Sequence, residues 1–228
     1  MDTLSLLQGV GFLDSFFPSG GFAFSSGLEA AVQGGIVRDA ASFERFVSDS
    51  LEAGLGTREA VAVGLAWEAA HDTAFARVVT LDLRLQSMQL SRELRRASRQ
   101  MGRQITRIAA AHFPGHASVG KYLAAVETDM TPGHAAVSLG LTLHAAGWQK
   151  QESIAGFLYQ AVVGYNSAAL KLLPIGQRES QRVLHDSLPL IAEISGRAAG
   201  AADLFSWTPV HDVYAMRHAR LESRLFRS

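Results

Sequence analysis

The sequence predicts an all-α fold, a single helical domain of roughly eight to ten helices covering residues 1–228. Three observations carry this. Apolar residues recur at three- and four-residue intervals along most of the chain, sustained alternation of β-branched or aromatic with polar residues is absent, and neither an internal repeat nor a Pro/Ser-rich linker divides the sequence.

The first helical pattern begins after Asp39, a candidate N-cap. Phe43, Phe46, Val47, Leu51 and Leu55 share a face, and Gly54 and Gly56 predict where it stops. An Ala-rich run over residues 58–70 gives the next helix. From Ser91, the positions Leu94, Ser98, Met101, Ile105 and Ile108 form one stripe and Arg92, Arg96, Arg99, Arg103 and Arg107 another, which predicts an amphipathic, strongly basic helix. Further helices are predicted over 116–127, from Pro132 and Gly133 to about Ala146, and from Ser153 with Ile154, Phe157, Leu158, Val162 and Tyr165 inward. The segment after Pro174 should split at Pro189, and residues 211–226 again have helical spacing. Near the start, Phe12, Phe16, Phe17, Phe22 and Phe24 crowd around Pro18, Gly20 and Gly21, the composition of a packed loop or a recognition loop.

Composition narrows the function classes. Hydrophobic residues make up 48% and charged residues 18%, below the roughly 25% charge of an average soluble domain, so some apolar surface is expected to lie under a partner. Lys plus Arg equals Asp plus Glu at 21 each, which removes any whole-molecule field toward nucleic acid or an anionic membrane. Without cysteine there is no disulfide, thiolate metal site or cysteine nucleophile, and the expected location is cytoplasmic. The N-terminus lacks the pattern of a secretory signal, and no apolar run approaches the ~20 residues of a membrane span.

Catalytic motifs are mostly missing. Gly115 to Tyr122 mimics a phosphate loop, but Tyr122 replaces the magnesium-binding hydroxyl and the context is helical, not a strand. No G-x-S-x-G or HExxH pattern occurs. Of the eight histidines, His112 and His116 are separated by Pro114 and Gly115, which break the helix between them, and His211 and His218 sit two turns apart, too far for one ion; a metal site shared across a subunit interface is left open. Six arginines, Arg92, Arg95, Arg96, Arg99, Arg103 and Arg107, accompany Glu93 alone, so the stripe either pairs within the chain or faces a protein partner, with nucleic acid the lesser alternative.

Four blocks in order resemble the UreF-type urease accessory proteins. They are Leu13-Asp14-Ser15-Phe16-Phe17-Pro18-Ser19-Gly20-Gly21-Phe22 with Ser26-Gly27-Leu28-Glu29, then residues 95–103, then residues 168–177, and Met216-Arg217-His218 with Leu221 and Arg224-Leu225-Phe226-Arg227-Ser228. The resemblance implies an all-helical homodimer that is not an enzyme and binds no cofactor of its own. It implies a bridge between a UreD/UreH-type scaffold and the UreG-type GTPase, coupling GTP hydrolysis to delivery of Ni²⁺ as cargo into apo-urease, with neither nucleic acid nor membrane as partner. Carried over by position, Lys171, Pro174 and Gln177 face the GTPase; His218, Leu221, Arg224, Leu225, Phe226 and Arg227 pack on the scaffold; and Asp14, Ser15, Pro18, Gly20 and Gly21 form the signature loop. Two departures stand out: Gly9-Val10-Gly11-Phe12 separates Leu6-Leu7-Gln8 from the Asp-Ser signature and is expected to rearrange the first contacts, and Phe24 stands where many members have a polar or imidazole side chain.

Overall fold

The computed structural model describes residues 2–227, so Ser228 of the terminal block lies outside them. Among these residues there is no strand. Twelve α-helical segments follow one another: α1 (Thr3–Leu13), α2 (Leu28–Gln33), α3 (Ala40–Ser50), α4 (Ala60–His71), α5 (Phe75–Met88), α6 (Arg92–His112), α7 (Ala117–Glu127), α8 (Ala135–Ala145), α9 (Lys150–Leu172), α10 (Gln177–Asp186), α11 (Leu188–Ala199) and α12 (Pro209–His218). A π-helical stretch, Leu51–Glu59, welds α3 to α4, and α10 runs into α11 through the helical backbone of Ser187, so the segments form ten separate rods.

The starts of the helices are chemically encoded. Asp39 caps α3, its carboxylate accepting from the Ser42 amide at 2.8 Å. Ser91 caps α6 through the Leu94 amide, and Gln149 and Glu152 form a capping box that starts α9 three residues earlier than Ser153. The break between α10 and α11 falls at Ser187, with Pro189 inside the first turn of α11, where its missing N–H leaves no bond unmade.

Two expectations are corrected. The α3 helix does not stop at Gly54–Gly56. A Cβ on Gly56 would lie 2.6 Å from Ile194 Cγ2 and one on Gly54 2.9 Å from Thr208 Cγ2, so these glycines let α11 and the start of α12 approach a helix that continues with π geometry. The last helix ends at His218 rather than reaching Phe226, because residues 219–227 turn back onto the protein. The residues 9–12 complete α1, where the indole of Trp148 covers Gly9 and donates to the Ser5 carbonyl at 2.9 Å. Helices α1, α2 and α5 are not predicted by the sequence reading.

The core centres on α8. Every residue from Ala135 to Leu143 is buried, as an element apolar all round requires, with α4 and α6 against it. At Gly140 an added Cβ would lie 2.4 Å from the Val63 carbonyl and 2.9 Å from Ala66 Cβ. Gly140→Ala is therefore expected to pry α4 from α8 and destabilise the protein by about 1–3 kcal/mol, read as a lower denaturant midpoint. A buried carboxylate holds the approach to α8: Asp82 accepts from Tyr122 Oη (2.9 Å), Thr131 Oγ1 (2.7 Å) and the amides of Gly133 (2.7 Å) and His134 (3.0 Å). Tyr122, the residue that spoils the phosphate-loop pattern, is thus a core side chain.

Candidate functional site

The tail is clasped onto its own chain by a network of hydrogen bonds centred on buried Glu29 and His218. His218, the last residue of α12, is fully buried. Its Nε2 lies 2.9 Å from Glu29 Oε2 and its Nδ1 2.8 Å from Glu93 Oε2. Both partners are carboxylate oxygens, so the ring can donate to both only when doubly protonated. Glu29, on α2 directly after the signature loop, also accepts from the amides of Leu225 (2.7 Å) and Phe226 (3.1 Å). Arg224 closes the group by an ion pair to Glu93 at 3.1 Å. Two further bonds tie the tail down: Arg227 N to the Ala23 carbonyl (2.8 Å) and Gln33 Nε2 to the Ser223 carbonyl (3.1 Å).

The tail then inserts Phe226, 7% exposed, into the core, while Leu225 beside it is 73% exposed. Above the Phe226 ring stands Lys171 Nζ, 5.4 Å from the centroid. Lys171 is exposed on the last turn of α9, and Pro174 and Gln177 are exposed in the turn that leads into α10, where the Glu179 carboxylate accepts the Gly176 amide at 3.0 Å. Residues that the resemblance assigns to two partners, Lys171 and Phe226, therefore touch.

The signature loop completes the arrangement. Asp14 ends α1 and accepts the Phe16 amide at 2.6 Å; Ser15 and Pro18 are exposed; Gly20 adopts φ +80°, favourable only for glycine, and Gly21 opens one 3₁₀ turn against Met101 of α6. The aromatics divide between packing and exposure. Phe12 and the half-buried Phe17 pack in a tilted pair with ring centroids 5.0 Å apart, whereas Phe16 and Phe22 point outward, Phe16 being 94% exposed. Leu221 is half-buried and Arg227 exposed.

Behind the loop lies a cavity of about 290 Å³, walled by Phe24, Met101, Phe157, Tyr165 and Phe226. Its floor is polar and comes from the π-helical stretch: Arg58 Nε pairs with Glu59 Oε1 at 2.8 Å, and Gln89 Nε2 donates to the same oxygen at 3.0 Å. Glu59 Oε2, Gln89 Oε1 and His211 Nε2 are buried without a protein partner. Burial pushes the Tyr165 phenol up to about 12. The sequence reading did not assign Arg58, Glu59 or Gln89 to a site; the available signal was an adjacent charged pair within an otherwise apolar, small-residue run.

The histidines separate. His112 Nδ1 lies 2.9 Å from the Ile108 carbonyl, and His211 packs on Phe46 with ring centroids 5.0 Å apart. His116 Nε2 and His144 Nδ1 are 3.0 Å apart, beside His71 and Trp67. Among the described residues no three His, Cys, Asp or Glu side chains are grouped so as to hold a metal ion. Burial, then the neighbouring His116 and His71, lowers His144 to about 4, and burial also lowers His116. The folded protein therefore resists protons that the unfolded chain accepts. Stability is full above the ordinary histidine value near 6.5 and falls as pH drops toward 4. Urea titrations at pH 7 and pH 5 should show His144→Gln losing less stability on acidification than the parent, by on the order of 1 kcal/mol for a half-buried ring screened by water. Equal losses would contradict this.

Comparison with known proteins covers most of the chain. The UreF family profile matches residues 37–188. The chain belongs to the UreF family. It is 31% identical over 218 residues to the urease accessory protein UreF of Arthrobacter sp. (strain FB24), covering 94% of this chain and 93% of that protein. It is 34% identical to UreF of Rhodopseudomonas palustris (strain BisA53), covering 95% and 90% respectively. The match to UreF of Bacillus sp. (strain TB-90), 29% identical, spans 99% of this chain and 98% of that protein, so it includes the signature loop and tail that flank the UreF profile. These relatives are all named as urease accessory proteins. No helix among the described residues is long and apolar enough to cross a membrane.

Proposed function

We propose that this UreF-family chain works in the cytoplasm as a homodimeric scaffold in urease maturation. It bridges a UreD/UreH-type protein and a UreG-type GTPase and couples GTP hydrolysis to the insertion of Ni²⁺ into apo-urease. Nickel is cargo in this reading, and no resident cofactor is required.

The single observation that carries the reading is the contact of Lys171 with Phe226. The tail's scaffold-facing residues and the GTPase-facing turn at Pro174–Gln177 are two sides of one packed junction. A change in the seating of Phe226 alters the surroundings of Lys171 directly, which gives binding at one side a physical route to the other.

The test is co-expression of the tagged chain with the UreD/UreH-type and UreG-type proteins of its own source, followed by mass determination of what is retained. The expected result is one assembly containing two copies of this chain and both partners. A folded chain that runs alone beside folded partners would overturn the proposal.

A further inference from the structure

We propose that the start of α6 and the tail form a basic docking face for an acidic surface on a partner protein. The clasp brings the two elements together: His218 and Arg224 meet Glu93, and Ser91 Oγ lies 3.4 Å from the Ala215 carbonyl. Around this contact stand Arg92 and Arg96, on one side of α6, and Arg217 and Arg220 of the tail. All four are exposed, and among the described residues none has a carboxylate partner.

The arginine stripe is thus divided along its length. At its far end Arg103 pairs with Asp129 at 2.6 Å and Arg107 with Glu127 at 3.5 Å. Toward the clasp the guanidiniums lack such neutralisation. Arg95 donates to the carbonyls of Gln89 and Leu90, and Arg99 to that of Pro132, contacts that leave their charge in place. The carboxylates of the clasp are already engaged, Glu93 by His218 and Arg224 and Glu29 by His218 and the amides of Leu225 and Phe226. In a chain of zero formal net charge, this concentration calls for negative charge from outside.

The chemistry favours a protein over a polyanion. Val213, Met216 and Leu225 are exposed on the same tail that carries Arg217, Arg220 and Arg224, and exposed apolar side chains beside arginine match a protein interface. Aromatic platforms for single-stranded nucleic acid are absent from the stripe. This inference rests on the proposed bridging role, in which the tail meets the UreD/UreH-type scaffold, and it commits to that protein as the bearer of the acidic face.

The experiment uses the full chain, immobilised, and measures association of the purified cognate UreD/UreH-type protein at low and high salt. R92E/R96E and R217E/R220E are each expected to slow association roughly tenfold and to flatten its salt dependence, R92K/R96K to restore it, and R107Q, already neutralised by Glu127, to leave it unchanged. Melting curves of the free variants confirm that these exposed changes leave the fold intact. Reversal variants that bind like the parent overturn the basic face while leaving the bridging role standing. So does a defect confined to the UreG-type protein or to a DNA duplex offered in parallel. A parent chain that ignores the scaffold overturns the bridging role itself.

Discussion

Replacing Glu29 by alanine is expected to free the tail. The carboxylate is buried and serves three donors at once: His218 Nε2 at 2.9 Å and the amides of Leu225 and Phe226 at 2.7 and 3.1 Å. Its removal leaves two backbone N–H groups and one face of a fully buried imidazole without acceptors. Leaving a buried donor without its acceptor costs about 1–3 kcal/mol, because the group stays desolvated. The tail has a less costly escape, since residues 219–227 are held chiefly by this network, by Phe226 and by two further hydrogen bonds. The expected outcome is local: amide exchange speeds up across residues 219–227 while the α8 core stays protected, and retention of the scaffold partner is lost. Glu29→Gln should fall between, keeping an acceptor oxygen but not its charge. Unchanged exchange in the tail of Glu29→Ala would refute the clasp.

Much of the fold was legible from local chemistry. Asp39 and Ser91 announce helix starts by capping, and the apolar stripes of α3 and α9 face the core as their spacing predicts, whereas on α6 the buried face is shifted to Ala97, Gly102, Ile105, Thr106 and Ala109 and the rest of the expected stripe is half-buried. The failures have identifiable causes. Gly54 and Gly56 look like stop signals, yet each is required by a neighbouring side chain pressed against the backbone, information that resides in α11 and in Thr208. Helix α5 buries Val78, Leu81 and Leu85 at helical spacing, but Asp82 lies on the same face and is satisfied only by the loop before α8. Leu221, Arg224 and Leu225 have helical spacing by coincidence, because the bonds to Glu29 outweigh a continued helix. The site was legible only as separate segments: Lys171, the tail and the signature loop were each singled out, but their meeting at Phe226 and Glu29 depends on tertiary structure.

The same meeting point separates binding from coupling. Deleting residues 225–228 removes Phe226 from the core and two of the donors to Glu29, so the truncated protein should keep its helical core yet lose about 3 kcal/mol, a fall of roughly 10 °C in melting temperature for a domain of this size. It should no longer retain the scaffold; a truncated protein that still co-purifies with it would refute the tail's role. Lys171→Ala differs in kind. Lys171 is exposed, and its cation over Phe226 contributes only about 0.5–1 kcal/mol, so the fold and the tail remain seated. The complex should therefore assemble with both partners, while GTP hydrolysis proceeds without a matching gain in urease activity. Lys171→Arg, which keeps a cation above the ring, should recover most of that gain. If Lys171→Ala activates urease as well as the parent in a reconstituted system, the contact with Phe226 is packing alone, and the proposed coupling does not run through Lys171.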